Sequence, residues 1–213
     1  MSTTSPIVHI VDDNASVRRA LRRLLASVGH ETRTYSSAHE FLEADHPNAP
    51  ACVVLDVRMP RMSGLELQER MAEQELKIPI VFITGHGDIT MAVEAMKKGA
   101  VDFLPKPFDD QELLASIERA LTEHEQERSE LAEQGEIMAR IERLTPRERE
   151  VMEHVITGLL NKQIAGELGT SEKTIKVHRG RVMEKMEVVS LAELVRLAAR
   201  IDVHGPGDLP PAE

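Results

Sequence analysis

The sequence lacks the features that would indicate a secreted, membrane-bound or zinc-binding protein. Its 213 residues include one cysteine, Cys52, so no internal disulfide can form, and its apolar neighbours predict a small buried side chain. No apolar run is long enough to span a membrane, and residues 1–6 have neither the basic nor the apolar segment of a signal peptide. The nine histidines show no zinc-ligand spacing. We therefore expect a cytoplasmic protein. A length of 213 residues suits two small domains, each able to bury its own core, and we expect that organisation.

Net positive charge is also missing. The formal net charge is -10, which would argue against a nucleic-acid partner if the charge were evenly distributed. It is not, because residues 160–186 carry six basic and three acidic side chains. A local basic stripe in an acidic protein indicates an output surface for a polyanion.

The first 121 residues alternate short apolar strands with amphipathic helices. This alternation predicts a parallel sheet joined by right-handed crossovers. Strands are expected at residues 7–11, 31–35, 52–55, 80–84 and 101–104.

Polar side chains follow these strands at one edge of the predicted sheet. Asp12 and Asp13 follow the first strand, Asp56 the third and Lys106 the fifth, while Thr84 ends the fourth. Taken singly, a strand-end aspartate more often starts a turn, and an acidic pair more often caps a helix. Taken together, the carboxylates can hold Mg²⁺ or Mn²⁺, and the lysine and hydroxyl can bind a transferred phosphoryl group. Asp56 is then the predicted nucleophile, which forms an acyl phosphate.

These motifs resemble the receiver domain of two-component response regulators over about residues 5–122. The resemblance implies a flavodoxin-like fold in which a partner histidine kinase phosphorylates Asp56. It also implies metal binding by Asp13, Asp56 and the backbone carbonyl of Arg58, with Asp12 acting through water. Phe103 matches the aromatic residue that turns inward when the switch hydroxyl engages the phosphoryl group. In that family the bond corresponding to Lys106-Pro107 is cis.

An acidic linker is expected at residues 122–143, where helix-forming residues dominate. A heptad through Ile117, Leu131 and Met138 is interrupted by His124, which disfavours a stable coiled coil. We favour a solvated helical spacer that extends the last receiver helix, and a dimerising stalk is the alternative.

The second half predicts four helices. Thr145, Pro146 and Glu148 form a strong helix start, Asn161 is expected to cap the second helix, and Ser190 the fourth. A third helix from about Glu172 to Met186 follows a glycine-containing turn, as in a helix-turn-helix. Its apolar face carries Ile175, Val182 and Met186, and its opposite face carries Lys173, Lys176, Val177, Gly180 and Glu184.

Residues 144–203 resemble the LuxR/FixJ-type DNA-binding domain in the Leu-Thr-Pro-Arg-Glu opening, the Asn-Lys-Gln-Ile-Ala stretch and the Lys-Val-His segment. The resemblance implies base contacts from Lys176 and Val177. Some relatives have a lysine where this chain has Gly180, which should change the preferred DNA site. The implied contacts to the DNA backbone come from Lys162, Lys173, Thr174, His178 and Arg181.

The whole-chain prediction is an α/β flavodoxin-like receiver with a five-stranded parallel sheet (1–121), a helical acidic linker (122–143), a four-helix helix-turn-helix domain (144–203) and a disordered tail (204–213). Phosphorylation should promote homodimerisation and binding to double-stranded promoter DNA, with RNA polymerase as a further partner. The family's dimer face would correspond here to Ala92, Val93, Met96 and Lys97.

Two alternative functions remain open at this stage. A DNA-binding regulator whose affinity ignores Asp56 would have the same domains. A phosphatase of the haloacid dehalogenase type would need a second aspartate where this chain has Arg58. The expected chemistry is therefore limited to metal-dependent self-phosphorylation from a phosphodonor and slow self-dephosphorylation.

Overall fold

The computed structural model describes residues 5–85 and 89–209, which divide into two compact units with the boundary between Arg128 and Ser129. The strands are β1 (Ile7–Val11), β2 (Glu31–Tyr35), β3 (Ala51–Asp56), β4 (Ile80–Thr84) and β5 (Asp102–Pro105). The helices of the first unit are α1 (Ala15–Ser27), α2 (Ala38–Leu42), α3 (Gly64–Glu73), α4 (Ile89–Lys97) and α5 (Asp110–Glu142), which continues into the second unit. The second unit adds α6 (Pro146–Ile156), α7 (Asn161–Glu167), α8 (Glu172–Lys185) and α9 (Leu191–Arg200).

The five strands form one parallel sheet in the order β2-β1-β3-β4-β5. Every residue of β1, β3 and β4 is buried, as their continuous apolar sequences predict, and β2 is partly exposed at the sheet edge. The predicted flavodoxin-like sheet is confirmed. Strand β5 begins one residue later than expected, at Asp102.

Apolar layers cover both faces of the sheet. On one face Leu21 and Leu25 of α1 and Leu113 and Ile117 of α5 pack over the alternate side chains of β1, β3 and β4. The opposite layer comes from α2, α3 and α4, and its buried helix residues are Ala38, Phe41, Leu67, Met71 and Ala95. The period-2 alternation of buried strand residues therefore supplies both layers.

Side-chain caps start helices α1, α2 and α3. Ser63 and Glu66 form a capping box at α3. At α2 the Ser37 hydroxyl accepts from the amide of Glu40, but the Glu40 carboxylate accepts from the amide and hydroxyl of Ser36 and so does not close a capping box. Val28, which follows the last residue of α1, is 51% exposed.

Helix α5 continues through the predicted linker. In the first unit Ile117 and Leu121 are buried, whereas in the second unit Ile137 and Ile141 belong to the apolar core. The prediction that the linker helix extends the last receiver helix is confirmed. The prediction of a solvated linker is wrong for Ile137 and Ile141, because their spacing of four residues places both on the face that the second unit covers.

The second unit has the predicted four helices, α6 to α9. Thr145 and Glu148 form the capping box of α6, and Ser171 caps α8. Asn161 was predicted to cap α7 but is its first helical residue, and the side chain of Gln163 satisfies the amide of Leu160. The Asn161 side chain instead accepts a hydrogen bond from Arg179 of α8 at 3.2 Å. The buried face of α8 consists of Ile175, Val182 and, at its end, Met186, as predicted.

The predicted disordered tail is wrong for residues 204–209. The Leu209 side chain is buried in the apolar core, and its amide donates to Glu153 of α6 at 3.2 Å. The Asp208 carboxylate accepts from the amides of His204 and Gly205. Residues 210–213 lie outside the described part of the chain, and the predicted domain limits stay a prediction.

No helix among the described residues is both long and apolar enough to cross a membrane.

Candidate functional site

The carboxyl ends of the parallel strands bring the predicted polar residues to one edge of the sheet. Asp12 follows β1, Asp56 is the last residue of β3 and Thr84 is the last residue of β4. The β3–β4 register pairs Asp56 with Ile83, and the β4–β5 register pairs Thr84 with Pro105, next to Lys106. The sheet topology therefore explains how residues distant in sequence form one site.

Lys106 links two of the carboxylates. Its Nζ lies 2.8 Å from Oδ2 of Asp12 and 3.1 Å from Oδ1 of Asp56. Asp12 is 1% exposed and Asp56 is 6% exposed, whereas Asp13 is exposed. One ammonium group thus pairs with two buried carboxylates at the edge of the sheet.

Burial and the neighbouring charges have partly opposing effects on the pKa values of Asp56 and Lys106. Burial raises the pKa of the Asp56 carboxyl, Lys106 opposes that change, and the negative charges of Asp12 and Asp13 reinforce it. For Lys106 the largest single influence is burial, which disfavours the charged amine, but Asp12 and Asp56 together raise its pKa. The site therefore has more negative charge than its one lysine balances.

A divalent cation fits this charge excess. Asp12, Asp13 and Asp56 each offer one oxygen, and these atoms lie within 4.8 Å of one another. Carboxylate oxygens are the ligands that Mg²⁺ and Mn²⁺ prefer. The donor set thus matches the predicted cofactor in chemistry and in spacing.

Gly64 allows the loop after β3 to approach the site. Its amide donates to the carbonyl of Val57 at 2.9 Å, and a Cβ at this position would stand 2.4 Å from the carbonyl oxygen of Asp56. No backbone atoms tolerate that separation, so glycine is required by the close approach of α3 to the end of β3.

The other predicted residues of this site occupy different environments. Thr84 is fully buried, Arg58 is exposed, and Phe103 is partly buried with its ring centroid 6.1 Å from that of Phe82. The Lys106-Pro107 bond is cis, and the amide of Lys106 donates to the carbonyl of Thr84 at 2.6 Å. The structure therefore places a buried hydroxyl on β4, the strand next to Asp56, and a partly buried aromatic ring on β5, one strand further away.

Sequence reasoning missed two residues that hold Asp12 in place. The guanidinium of Arg18 donates to the backbone carbonyl of Asp12 at 2.5 Å, and the amide of Asn14 donates to its Oδ1 at 2.7 Å. Asn14 also caps α1. The capping signal of Asn14 was visible in the sequence, but no local pattern shows that Arg18 reaches back six residues.

The predicted dimer face lies on α4. Val93, Met96 and Lys97 are exposed and Ala92 is partly exposed, while Ala95 is the residue of α4 that packs into the core. Ile89 at the start of α4 is also exposed. The helix thus presents apolar side chains outward as well as inward.

The outward face of α8 forms the candidate nucleic-acid interface. Lys173, Lys176 and Arg181 are exposed, and Val177 is 49% exposed. Thr174 and His178 are partly buried, and Lys162 on α7 is exposed. Both predicted base-contacting side chains, Lys176 and Val177, are therefore exposed to solvent on the outward face of α8.

Two basic residues near this face have structural partners instead. Lys185 lies 2.6 Å from the buried carboxylate of Glu148 and donates to the carbonyl of Arg143 at 2.9 Å. Arg179 contacts Asn161 as described above. Both side chains therefore have partners within the second unit.

An α/β unit with a carboxylate–lysine site, followed by a helix-turn-helix unit with an exposed basic face, defines a class of phosphorylation-controlled regulator. Residues 8–118 match the family described as response regulator receiver domain, and residues 142–198 match bacterial regulatory proteins, luxR family. The chain therefore belongs to the response regulators that carry a LuxR-type DNA-binding domain and regulate transcription.

Whole-chain relatives agree with this assignment. Nodulation protein W of Bradyrhizobium diazoefficiens is 48% identical over 203 residues, which cover 95% of this chain and 89% of that protein. The transcriptional regulatory protein FixJ of the same organism is 48% identical over 198 residues, covering 93% and 97%. A structure of the response regulator StyR is similar with a TM-score of 0.85 and 50% identity, covering 92% of this chain and all of that one.

Proposed function

We propose that Asp56 accepts a phosphoryl group from a sensor histidine kinase and that this change promotes dimerisation and promoter binding. The observation that carries the proposal is the Asp12–Lys106–Asp56 cluster, in which a strand-end carboxylate is buried beside a lysine and two further carboxylates. A regulator that binds chromosomal DNA acts in the cytoplasm.

Asp13, Asp56 and the backbone carbonyl of Arg58 would hold Mg²⁺ or Mn²⁺, with Asp12 acting through water. The bound cation would supply positive charge near the oxygens of the incoming phosphoryl group. Lys106 adds a second positive charge, because its ammonium already contacts Asp56.

The transfer makes one bond and breaks one. A carboxylate oxygen of Asp56 attacks the phosphorus of the kinase's phosphohistidine, and an O–P bond forms as the N–P bond breaks. The electron pair of the broken bond stays on the imidazole nitrogen, which takes up a proton. Self-phosphorylation from a small phosphodonor follows the same course with a different leaving group, and slow hydrolysis by water returns Asp56 to the carboxylate.

We infer that the new phosphoryl group is sensed by Thr84 and Phe103. Thr84 lies at the end of the neighbouring strand and can donate its hydroxyl proton to a phosphoryl oxygen. Phe103 is only partly buried, so turning inward would remove more of its ring from water. The output would be a receiver dimer through Ala92, Val93, Met96 and Lys97 on α4.

The second unit would read double-stranded DNA through α8. Lys176 and Val177 would contact bases, because both side chains are exposed on the outward face of the helix. RNA polymerase would be the further partner at the promoter. The proposed backbone contacts are those of Lys162, Lys173, Thr174, His178 and Arg181.

The test compares wild type, Asp56→Asn and Asp45→Asn, each incubated with Mg²⁺ and a small phosphodonor. Asp45 is an exposed aspartate in the same unit, so its substitution removes one charge without touching the site. Mass spectrometry should find one added phosphoryl group on wild type and Asp45→Asn and none on Asp56→Asn. The same two proteins should enrich a few promoters from genomic fragments.

Equal enrichment by all three proteins would leave the DNA-binding role intact and refute control by Asp56. That outcome would favour the alternative function, a regulator that works without phosphorylation. Sustained turnover of small phosphoesters would instead favour a phosphatase.

A further inference from the structure

Gly180 lies in the interior of α8, where glycine is unfavourable. Glycine weakens a helix relative to alanine because it loses more backbone freedom on folding. The residue is exposed and has helical backbone dihedrals, in contrast to Gly158 and Gly169, whose positive φ values require glycine. Its backbone conformation therefore does not explain the choice of glycine.

Packing within the protein does not explain it either. A Cβ built on Gly180 meets no heavy atom within 4 Å in the part of the chain that the structure describes. This contrasts with Gly64, where the same Cβ would clash with the backbone of Asp56. Alanine at position 180 would fit the folded unit without any adjustment.

The position of Gly180 on α8 suggests an external reason. It lies four residues after Lys176, three after Val177 and four before Glu184, so these side chains surround it on one helix face. All three are exposed. Gly180 thus leaves bare backbone in the middle of the surface that carries the proposed base contacts.

We propose that Gly180 is the point at which the α8 backbone lies directly against DNA, and that its missing side chain sets how deeply α8 enters the major groove. The proposal rests on the proposed DNA-binding function of the second unit. Lys162, Lys173 and Arg181 supply the attraction toward the phosphates, and the gap at Gly180 allows the helix to follow that attraction further inward.

The experiment compares Gly180→Ala and Gly180→Leu with Gly135→Ala and Gly135→Leu in the full-length protein. Gly135 is a matched control, because it is an exposed glycine inside α5 of the same unit and also has open space around a built Cβ. Wild type, treated with Mg²⁺ and acetyl phosphate, first selects duplexes from a random-sequence pool. Affinity for a selected duplex and for an unselected duplex is then measured for every variant.

Both alanine variants should raise the melting temperature, since alanine favours helix. Only the position-180 variants should bind the selected duplex more weakly, with Gly180→Leu losing about tenfold, which is comparable to one mismatched base pair.

Binding of Gly180→Ala and Gly180→Leu as tight as wild type would overturn the proposal. If Gly180→Leu fails to fold, Gly180→Ala decides, since alanine fits the helix. If wild type selects no sequence from the pool, the proposed DNA-binding function itself fails and this inference fails with it. Selection by wild type with unchanged binding by the variants would refute only the role of Gly180.

Discussion

Replacing Lys106 with methionine should destabilise the first unit much more than the same change at Lys98. Each lysine bridges two carboxylates, and the N–O distances are 2.8 and 3.1 Å at Lys106 but 2.7 Å to both Glu69 and Glu94 at Lys98. Judged by distance alone, the ion pairs of Lys98 would therefore be expected to stabilise the unit more than those of Lys106. Burial reverses the order, because both partners of Lys106 are buried, whereas Glu69 and Glu94 are 55% and 49% exposed.

The magnitude follows from the cost of leaving buried carboxylates without their cation. At an effective dielectric constant of about 20, each Lys106 contact is worth roughly 5 kcal/mol before desolvation is subtracted. Breaking a buried ion pair by removing one partner costs about 3–5 kcal/mol in measured cases. Because the Lys106 side chain is itself 24% exposed, we expect Lys106→Met to lower the free energy of unfolding by about 3 kcal/mol. Lys98→Met should change it little, because exposed pairs are weak.

Urea unfolding followed by tyrosine fluorescence measures this difference. Tyr35 is the only tyrosine, the sequence has no tryptophan, and Tyr35 is buried in the first unit, so the signal reports that unit alone. Measurements are made in a chelator and then in Mg²⁺, which should restore part of the loss in Lys106→Met and none in Lys98→Met. Equal destabilisation by the two substitutions would refute the argument from burial.

Three further predictions concern packing, pH and the second unit. Gly64→Ala should slow self-phosphorylation and destabilise the first unit, because the added Cβ would displace the Asp56 backbone. Gly135→Ala is the control and should do neither. Equal phosphorylation rates for the two variants would contradict this prediction. Burial, followed by the charges of His46 and Arg33, lowers the pKa of His9 to about 4. The free energy of unfolding should therefore fall by up to about 3 kcal/mol as the pH drops from about 6.5 toward 4, because the unfolded chain then binds a proton that the folded chain does not. His9→Gln should flatten this pH dependence in the Tyr35 unfolding assay. Lys185→Met should lower the melting temperature of the second unit, measured by circular dichroism, because it leaves the Glu148 carboxylate buried without its cation; a loss of DNA affinity with unchanged melting would contradict the structural role.

The sequence was sufficient to predict the site at the sheet edge because the rule involved is topological. Once β1, β3, β4 and β5 are identified as parallel strands, Asp12, Asp56, Thr84 and Lys106 must meet at their carboxyl ends. Burial of β3 on both faces was readable from its uninterrupted apolar run. Neither inference needed a distance between side chains.

Contacts that depend on the meeting of distant segments could not be predicted in this way. The Lys185–Glu148 pair joins α8 to α6, and an exposed basic stripe looks the same in sequence whether or not one lysine turns back toward a buried glutamate. Arg128 donates to the carbonyls of Asn48 and Ala49, about 80 residues earlier in the chain. In each case the partner is fixed by packing that no local period describes.

The heptad positions of the alternative dimerising stalk are mostly occupied by contacts within one unit or the other. Ile117 is buried in the core of the first unit, and His124 is buried with its Nδ1 accepting from the amide of Ala51 at 2.8 Å. Met138 packs against the core of the second unit. Only Leu131, which is 58% exposed, is left to face a partner helix. Since a coiled coil needs a sustained seam of apolar residues and one leucine does not supply it, these contacts favour the helical spacer over a dimer through this heptad.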